Sequence, residues 1–105
     1  MLPQNLNTEK HCKRIAEKTH AYFKRIDILI NNAGIHYPQN KIEDISSKQL
    51  IETFNTNVFS MFYLVKASLK YLKKGSCIIN TASVTAYRGS AHLIDYSATK
   101  GAIVS

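Results

Sequence analysis

The stretch IDILINNAG, residues 26–34, decides how this chain folds. Its apolar run, Asp27 to Ile30, is closed by Asn31, Asn32 and Gly34, the pattern of a buried strand that empties into a loop. Upstream, Cys12, Ile15, Ala16, Thr19, Tyr22, Phe23 and Ile26 recur at three- and four-residue steps, which predicts an amphipathic helix over residues 8–25. Thr8 is placed to cap it, and Glu9 suits its first turn. A helix therefore delivers the chain into a strand.

The same order repeats downstream. HYPQNKIED is polar and carries Pro38, so residues 35–45 read as a loop, with Ser46 or Ser47 capping the next helix. Leu50, Phe54, Val58, Met61, Val65, Leu69 and Leu72 keep helical spacing until Gly75 stops it, which predicts one long helix. SCIINTAS, residues 76–83, reads as a second buried strand. After a loop holding Arg88, Gly89 and Ser90, helix-forming residues resume from about Asp95.

Helix, strand, helix, strand, helix is the alternation of an α/β fold, a doubly wound parallel sheet of the Rossmann type with helices on both faces. Such sheets place their sites outside the carboxyl ends of the strands. Asn31, Asn32 and Gly34 after the first strand, and Thr81 and Ser83 closing the second, are thus expected to line one crevice. Two strands are fewer than such a sheet normally has, so residues 1–105 are expected to form a single, partial domain.

With 105 residues, 45% of them hydrophobic and 10% aromatic, the chain is ordinary globular material rather than a disordered segment. A formal charge of +7 would suit anionic partners, but the lysines are laid out along helices: Lys10, Lys13 and Lys18 on one, Lys66, Lys70, Lys73 and Lys74 on another. Helical spacing accounts for them as solvated faces, so no nucleic-acid partner is expected. Cys12 and Cys77 lack metal-ligand spacing and read as two buried thiols in a reducing compartment. The N-terminus has no signal-peptide core, and no apolar run reaches the length of a membrane span. A soluble cytoplasmic protein without a membrane partner is expected.

The chemistry gathers near the other end, in DYSATKGA, residues 95–102. Tyr96 and Lys100 are four apart, on one face of a helix, so the ammonium can approach the phenol and favour its ionised form. Six tyrosines and eleven lysines would by chance give such a spacing about 0.6 times, and Tyr37 with Lys41 shares it inside a loop. Context separates the two pairs. Ser83 precedes Tyr96 at a strand end, where a hydroxyl can orient a substrate oxygen. Asn57 sits mid-helix among apolar residues, where its amide must find a partner.

NNAG at 31–34, Asn57, Ser83 and YSATK at 96–100 together resemble the short-chain dehydrogenase/reductase family, and the resemblance covers nearly all of the chain. NTASVTAYRGSAHLIDYSATKGAIVS is similar to the bacterial branch of glucose-dehydrogenase-like and general-stress oxidoreductases. The resemblance implies NAD(P)-dependent hydride transfer between nicotinamide and a small carbonyl or alcohol substrate. It implies Tyr96 as general acid/base, Lys100 as the group that binds the nicotinamide ribose and lowers the tyrosine pKa, and Ser83 as the donor to the substrate oxygen. Asn57 would match the helix position whose backbone holds a relay water. Asn32, Ala33 and Gly34 would match the turn beside the cofactor, the glycine permitting close backbone approach. NAD or NADP is the implied cofactor, no metal is implied, and family members are expected to be homotetramers. His11, His20, His36 and His92 lack ligand spacing and are assigned surface or structural roles.

The sequence departs from the family's pattern in three respects: Asn5 stands where relatives often carry an aspartate, the strand and substrate-binding loop expected after the Tyr96 helix do not follow by Ser105, and the glycines are few. Its glycines are Gly34, Gly75, Gly89 and Gly101, so the glycine-rich turn that would bind a pyrophosphate is not among them. A chain truncated at both ends and inactive alone is therefore expected, with no detectable binding of NAD or NADP. The alternative is a non-catalytic remnant that acts as a protein-interaction module through its sheet edges.

Overall fold

A computed structural model describes residues 5–105; Met1 to Gln4, where the expected domain begins and no signal-peptide core is expected, lie outside the described residues. Helix α1, Glu9–Phe23, starts where the capping chemistry places it: the Thr8 hydroxyl accepts the His11 N–H at 3.3 Å. It ends on Lys24, whose left-handed backbone (φ 61°) returns its N–H to the His20 carbonyl. Cys12 and Ala16 on its apolar stripe are buried, and α1 packs along a later helix, α3 (Ser60–Ser68).

Strand β1 is Ile28–Asn31 and strand β2 is Cys77–Asn80. They pair in parallel with Ile28 opposite Cys77 and Asn31 opposite Asn80. Bonds from Cys77 N–H to the Asp27 carbonyl and from Thr81 N–H to the Asn31 carbonyl extend the ladder at both ends. Both strands consequently release their chains at the same end of the sheet, as a crevice requires.

The predicted long helix is present but interrupted. Helix α2, Ser47–Phe54, is capped by Ser46, whose hydroxyl accepts from Gln49 N–H at 3.1 Å. A π-helical turn, Asn55–Phe59, comes next and leads directly into α3. The widened turn sends Ser60 N–H back to the Asn55 carbonyl, while Ser60 Oγ donates to the Thr56 carbonyl at 2.6 Å. The expected run to Leu72 is corrected to Ser68, because the chain then tightens and the Ser68 carbonyl accepts from Tyr71 as well as Leu72. Gly75, at φ 92°, turns the chain toward β2.

Residues 85–88, expected to be loop, form a short helix α4, Thr85–Arg88, nucleated by Ser83, whose carbonyl accepts from Ala86 N–H. Helix α5, Ile94–Val104, then carries the tyrosine–lysine pair as anticipated. Within the 35–45 segment only Ile42–Asp44 is regular, as a single 3-10 turn.

Two expectations about burial are corrected. Every residue of β2 is exposed, as are Ile28 and Ile30 of β1, so the strands are not buried on both faces. Helix α3 rests against β1, and no helix among the described residues packs broadly over β2. For the same reason Cys77 is exposed, leaving Cys12 as the one buried thiol of the two. Burial, and secondarily Glu9, push the Cys12 thiol above its usual range.

Candidate active site

The site is assembled by α5, the π-helical turn and the loops that leave the strands. Lys100 projects from α5 and is 3% exposed, with Nζ donating to the Thr81 carbonyl just beyond β2 at 2.8 Å. Burial pushes its ammonium below the ordinary lysine range. One helical turn earlier, the half-buried Tyr96 presents its ring 5.5 Å from Lys100 Nζ. The four-residue spacing read from the sequence thus brings the cation over the aromatic face.

Asn57 lies in the π-helical turn and is fully buried, and its amide finds its partners far along the chain. Its Oδ1 accepts from Ile35 N–H at 2.8 Å, and its Nδ2 donates to the Ile35 carbonyl at 2.9 Å and to Thr99 Oγ1 at 3.1 Å. The side chain therefore clamps Ile35 as a neighbouring strand would. The widened turn matters here, since such turns reorient single side chains and recur at functional sites. Thr99 passes the connection on, donating to the Tyr96 carbonyl at 2.6 Å.

Gly34 stands where these groups meet. A Cβ at this position would lie 3.6 Å from Asn57 Oδ1 and 3.7 Å from Lys100 Nζ, in ordinary van der Waals contact. Gly34, Asn57 and Lys100 are thus neighbours, and Tyr96 joins them through Lys100. Asn32 and Ala33 are exposed beside them and flank a small pocket with the buried Asn31. Asn31 Nδ2 donates to Asn80 Oδ1 across the strands at 2.8 Å, while its own Oδ1 is buried without a partner among the described residues.

Ser83 is placed differently. It lies at the carboxyl side of β2 as expected, but its hydroxyl accepts from Thr85 N–H at 3.3 Å and from Thr85 Oγ1 at 3.1 Å, within its own turn. It forms no hydrogen bond with Tyr96 or Lys100 among the described residues. Helix α4, which it starts, packs on α5, so Ser83 is held next to the tyrosine's helix.

Sequence reasoning missed Ile35, placed Thr81 only as a residue lining the crevice, missed Thr99 and gave His36 a surface or structural role. The first two act through backbone atoms and leave no signature in residue type. Thr99 carried a signal, a hydroxyl three positions after Tyr96 and four after Asp95 on one helix. His36, assigned a surface role, is exposed and also packs edge-on to the Tyr96 ring at 5.4 Å between centroids.

Known proteins resemble this chain along its whole length. The family model for short chain dehydrogenase matches residues 1–105. The chain is 55% identical over 105 residues to the uncharacterized oxidoreductase YhxC of Bacillus subtilis, covering 100% of this chain and 37% of that protein. It is 49% identical over 104 residues to the chloroplastic NADPH-dependent aldehyde reductase 1 of Arabidopsis thaliana, covering 99% of this chain and 36% of the relative. Among solved structures, a glucose/ribitol dehydrogenase from Brucella melitensis superposes with a TM-score of 0.89 at 32% identity, over 96% of this chain and 43% of that one. The chain therefore spans a little over a third of the length of the curated relatives it matches.

Proposed function

Because the chain belongs to the short-chain dehydrogenase family, we propose that it supplies the proton-transfer centre of an NAD(P)-dependent oxidoreductase acting on a small carbonyl or alcohol substrate. The observation that carries this reading is the buried Lys100 ammonium, 5.5 Å from the centroid of the Tyr96 ring and beside Gly34 and Asn57. In this reading Tyr96 is the general acid toward a carbonyl oxygen and the general base toward an alcohol. Lys100 stabilises the phenolate left behind. Ser83 Oγ only accepts from Thr85, so its own O–H is left to donate to the same substrate oxygen. Asn57 keeps the Ile35 loop and Thr99 in place, and through Thr99 it steadies the backbone of Tyr96.

The residues present fit the nicotinamide end of the cofactor. Lys100 Nζ carries three hydrogens and spends one on Thr81, which leaves donors for ribose hydroxyls, and Asn32, Ala33 and Gly34 offer backbone at close approach. When bound, the nicotinamide supplies the hydride and the protein supplies orientation and the proton. The name of the plant relative points to NADPH and to aldehydes as the first reactants to try.

Grafting tests the reading. This chain replaces the corresponding third of YhxC, and NADPH oxidation is followed with a panel of aldehydes. An active chimera is expected, with Tyr96→Phe lowering kcat by about 10²–10⁴-fold. A folded chimera that binds NADPH yet turns over nothing, or one in which Tyr96→Phe is silent, rejects it. The isolated chain is expected to show no saturable NAD or NADP binding in calorimetry.

One observation favours the interaction-module alternative. An apolar groove of about 260 Å³, lined in part by Val58, Met61, Phe62, Val65, Ala102 and Ile103, lies open between α3 and α5. A defined oligomer with no catalytic effect in the chimera would select that reading.

A further inference from the structure

Outside the Tyr96–Lys100 site, the densest buried polar cluster joins α2 to the first turn of α5. Asp95 is 3% exposed, yet its carboxylate meets three donors: Tyr96 N–H at 2.9 Å on Oδ1, and Gln49 Nε2 at 3.0 Å and Thr53 Oγ1 at 3.0 Å on Oδ2. Gln49 is the hub. Its Nε2 also donates to the Tyr37 carbonyl at 3.1 Å, and its Oε1 accepts from Gln39 Nε2 at 2.8 Å. Gln39 N–H in turn donates to the His92 carbonyl, just ahead of α5. Both amide hydrogens and the amide oxygen of Gln49 are thus spent on three different partners.

These contacts have a shared consequence. Loop 35–39 carries His36, whose ring lies against the Tyr96 ring, and Tyr96 is the residue next to Asp95. We propose that Gln49 and Asp95 are positioning residues that lock loop 35–39 to the start of α5, so that the Tyr96 ring stays edge-on to His36 and within reach of Lys100. This rests on the reading of Tyr96 as the proton-transfer group, although the lock itself is a property of the fold. Burial makes it selective. Asparagine at position 95 must turn its NH₂ either toward Gln49 Nε2 and Thr53 Oγ1 or toward the Tyr96 N–H, and Gln49 can meet the first of these only by inverting and presenting its oxygen to the Tyr37 carbonyl. Either arrangement severs one link, and a buried donor or acceptor left unpaired is costly.

The test uses the 105-residue chain and needs no cofactor. In isotope-labelled protein, the nuclear Overhauser cross-peak between the His36 and Tyr96 rings and the exchange rate of the Tyr96 amide are measured. The variants are Gln49→Ala and Asp95→Asn, with Ser46→Ala as a control that removes the cap on the Gln49 backbone N–H while leaving every side-chain hydrogen bond of the lock in place. The cross-peak is expected to vanish in Gln49→Ala and Asp95→Asn but persist in Ser46→Ala, with Tyr96 amide exchange rising at least about tenfold in Asp95→Asn. A retained cross-peak in folded Gln49→Ala overturns the proposal, as does its loss in Ser46→Ala, which would make the contact a passive reporter of stability. Should Asp95→Asn unfold, shown by free exchange of the α1 amides, the Gln49→Ala variant decides. Failure of the YhxC chimera would sink the catalytic reading and leave this result standing.

Discussion

Burying Lys100 removes hydration from an ammonium that keeps only the Thr81 carbonyl as a hydrogen-bond partner among the described residues, and the folded chain therefore holds its proton less tightly than the unfolded chain. Linkage fixes the sign. Below the depressed folded pKa both states carry the proton and the penalty is constant. Between that value and the ordinary lysine value near 10.5, the unfolded chain binds the extra proton, so stability rises with pH and then levels off. The urea midpoint of the native chain is expected to rise relative to that of Lys100→Met as pH climbs through the alkaline range, the opposing contribution of the raised Cys12 thiol being common to both. Gly34 makes a second prediction, because it lacks a positive φ and an added methyl would meet only ordinary contacts. Gly34→Ala is expected to leave stability unchanged or raised, within about 1 kcal/mol, in denaturant titration. Its requirement would then show only where a cofactor must approach. The Tyr96–Lys100 pairing was legible in the sequence because a helix converts spacing into adjacency without help from the rest of the fold. The partners of Asn57 were not, since Ile35 and Thr99 lie 22 and 42 positions away.

The contact between α2, with its π-helical turn, and α5 is polar where a core would ordinarily be apolar. Thr53 and Asn57 stand four apart on one side, Asp95 and Thr99 four apart on the other, and they join as Thr53–Asp95 and Asn57–Thr99. Two matched rungs fix register in a way that interchangeable methyl groups do not. Of the four, sequence reasoning singled out only Asn57 as an amide in need of a partner, because the pairing depends on how two helices cross. The π-helical turn was hidden for another reason: one extra residue in a long helix shifts the apolar stripe by too little to break its apparent period. Helix starts were better specified, because a cap acts within its own turn. Ser46→Ala should accordingly cost about 1 kcal/mol of stability by urea denaturation, leaving Gln49 N–H without its side-chain acceptor.

Taken whole, the chain exposes apolar residues where a layered α/β fold would cover them: Ile28 and Ile30 on β1, Ile78 and Ile79 on β2, and Phe62 and Leu69 along the α3 side. Exposed apolar surface of this extent drives association. The isolated chain is expected to bind a hydrophobic dye and to sediment with a concentration-dependent mass; a dye-silent monomer at high concentration would contradict this. Runs of isoleucine and leucine favour a sheet interior, which is why the strands read as buried, but residue type states only what a surface prefers. The positions of the longer helices, their Thr8 and Ser46 caps, the two strand sites and the tyrosine–lysine register were legible in the order of residues alone, since each is set by interactions within a few positions or by a period. The clamp of Asn57 on Ile35, the burial of Lys100, the contact of His36 with Tyr96 and the exposure of β2 belong to the folded object. Each depends on which distant segments come to lie side by side, and local free energies along the chain carry no term for that.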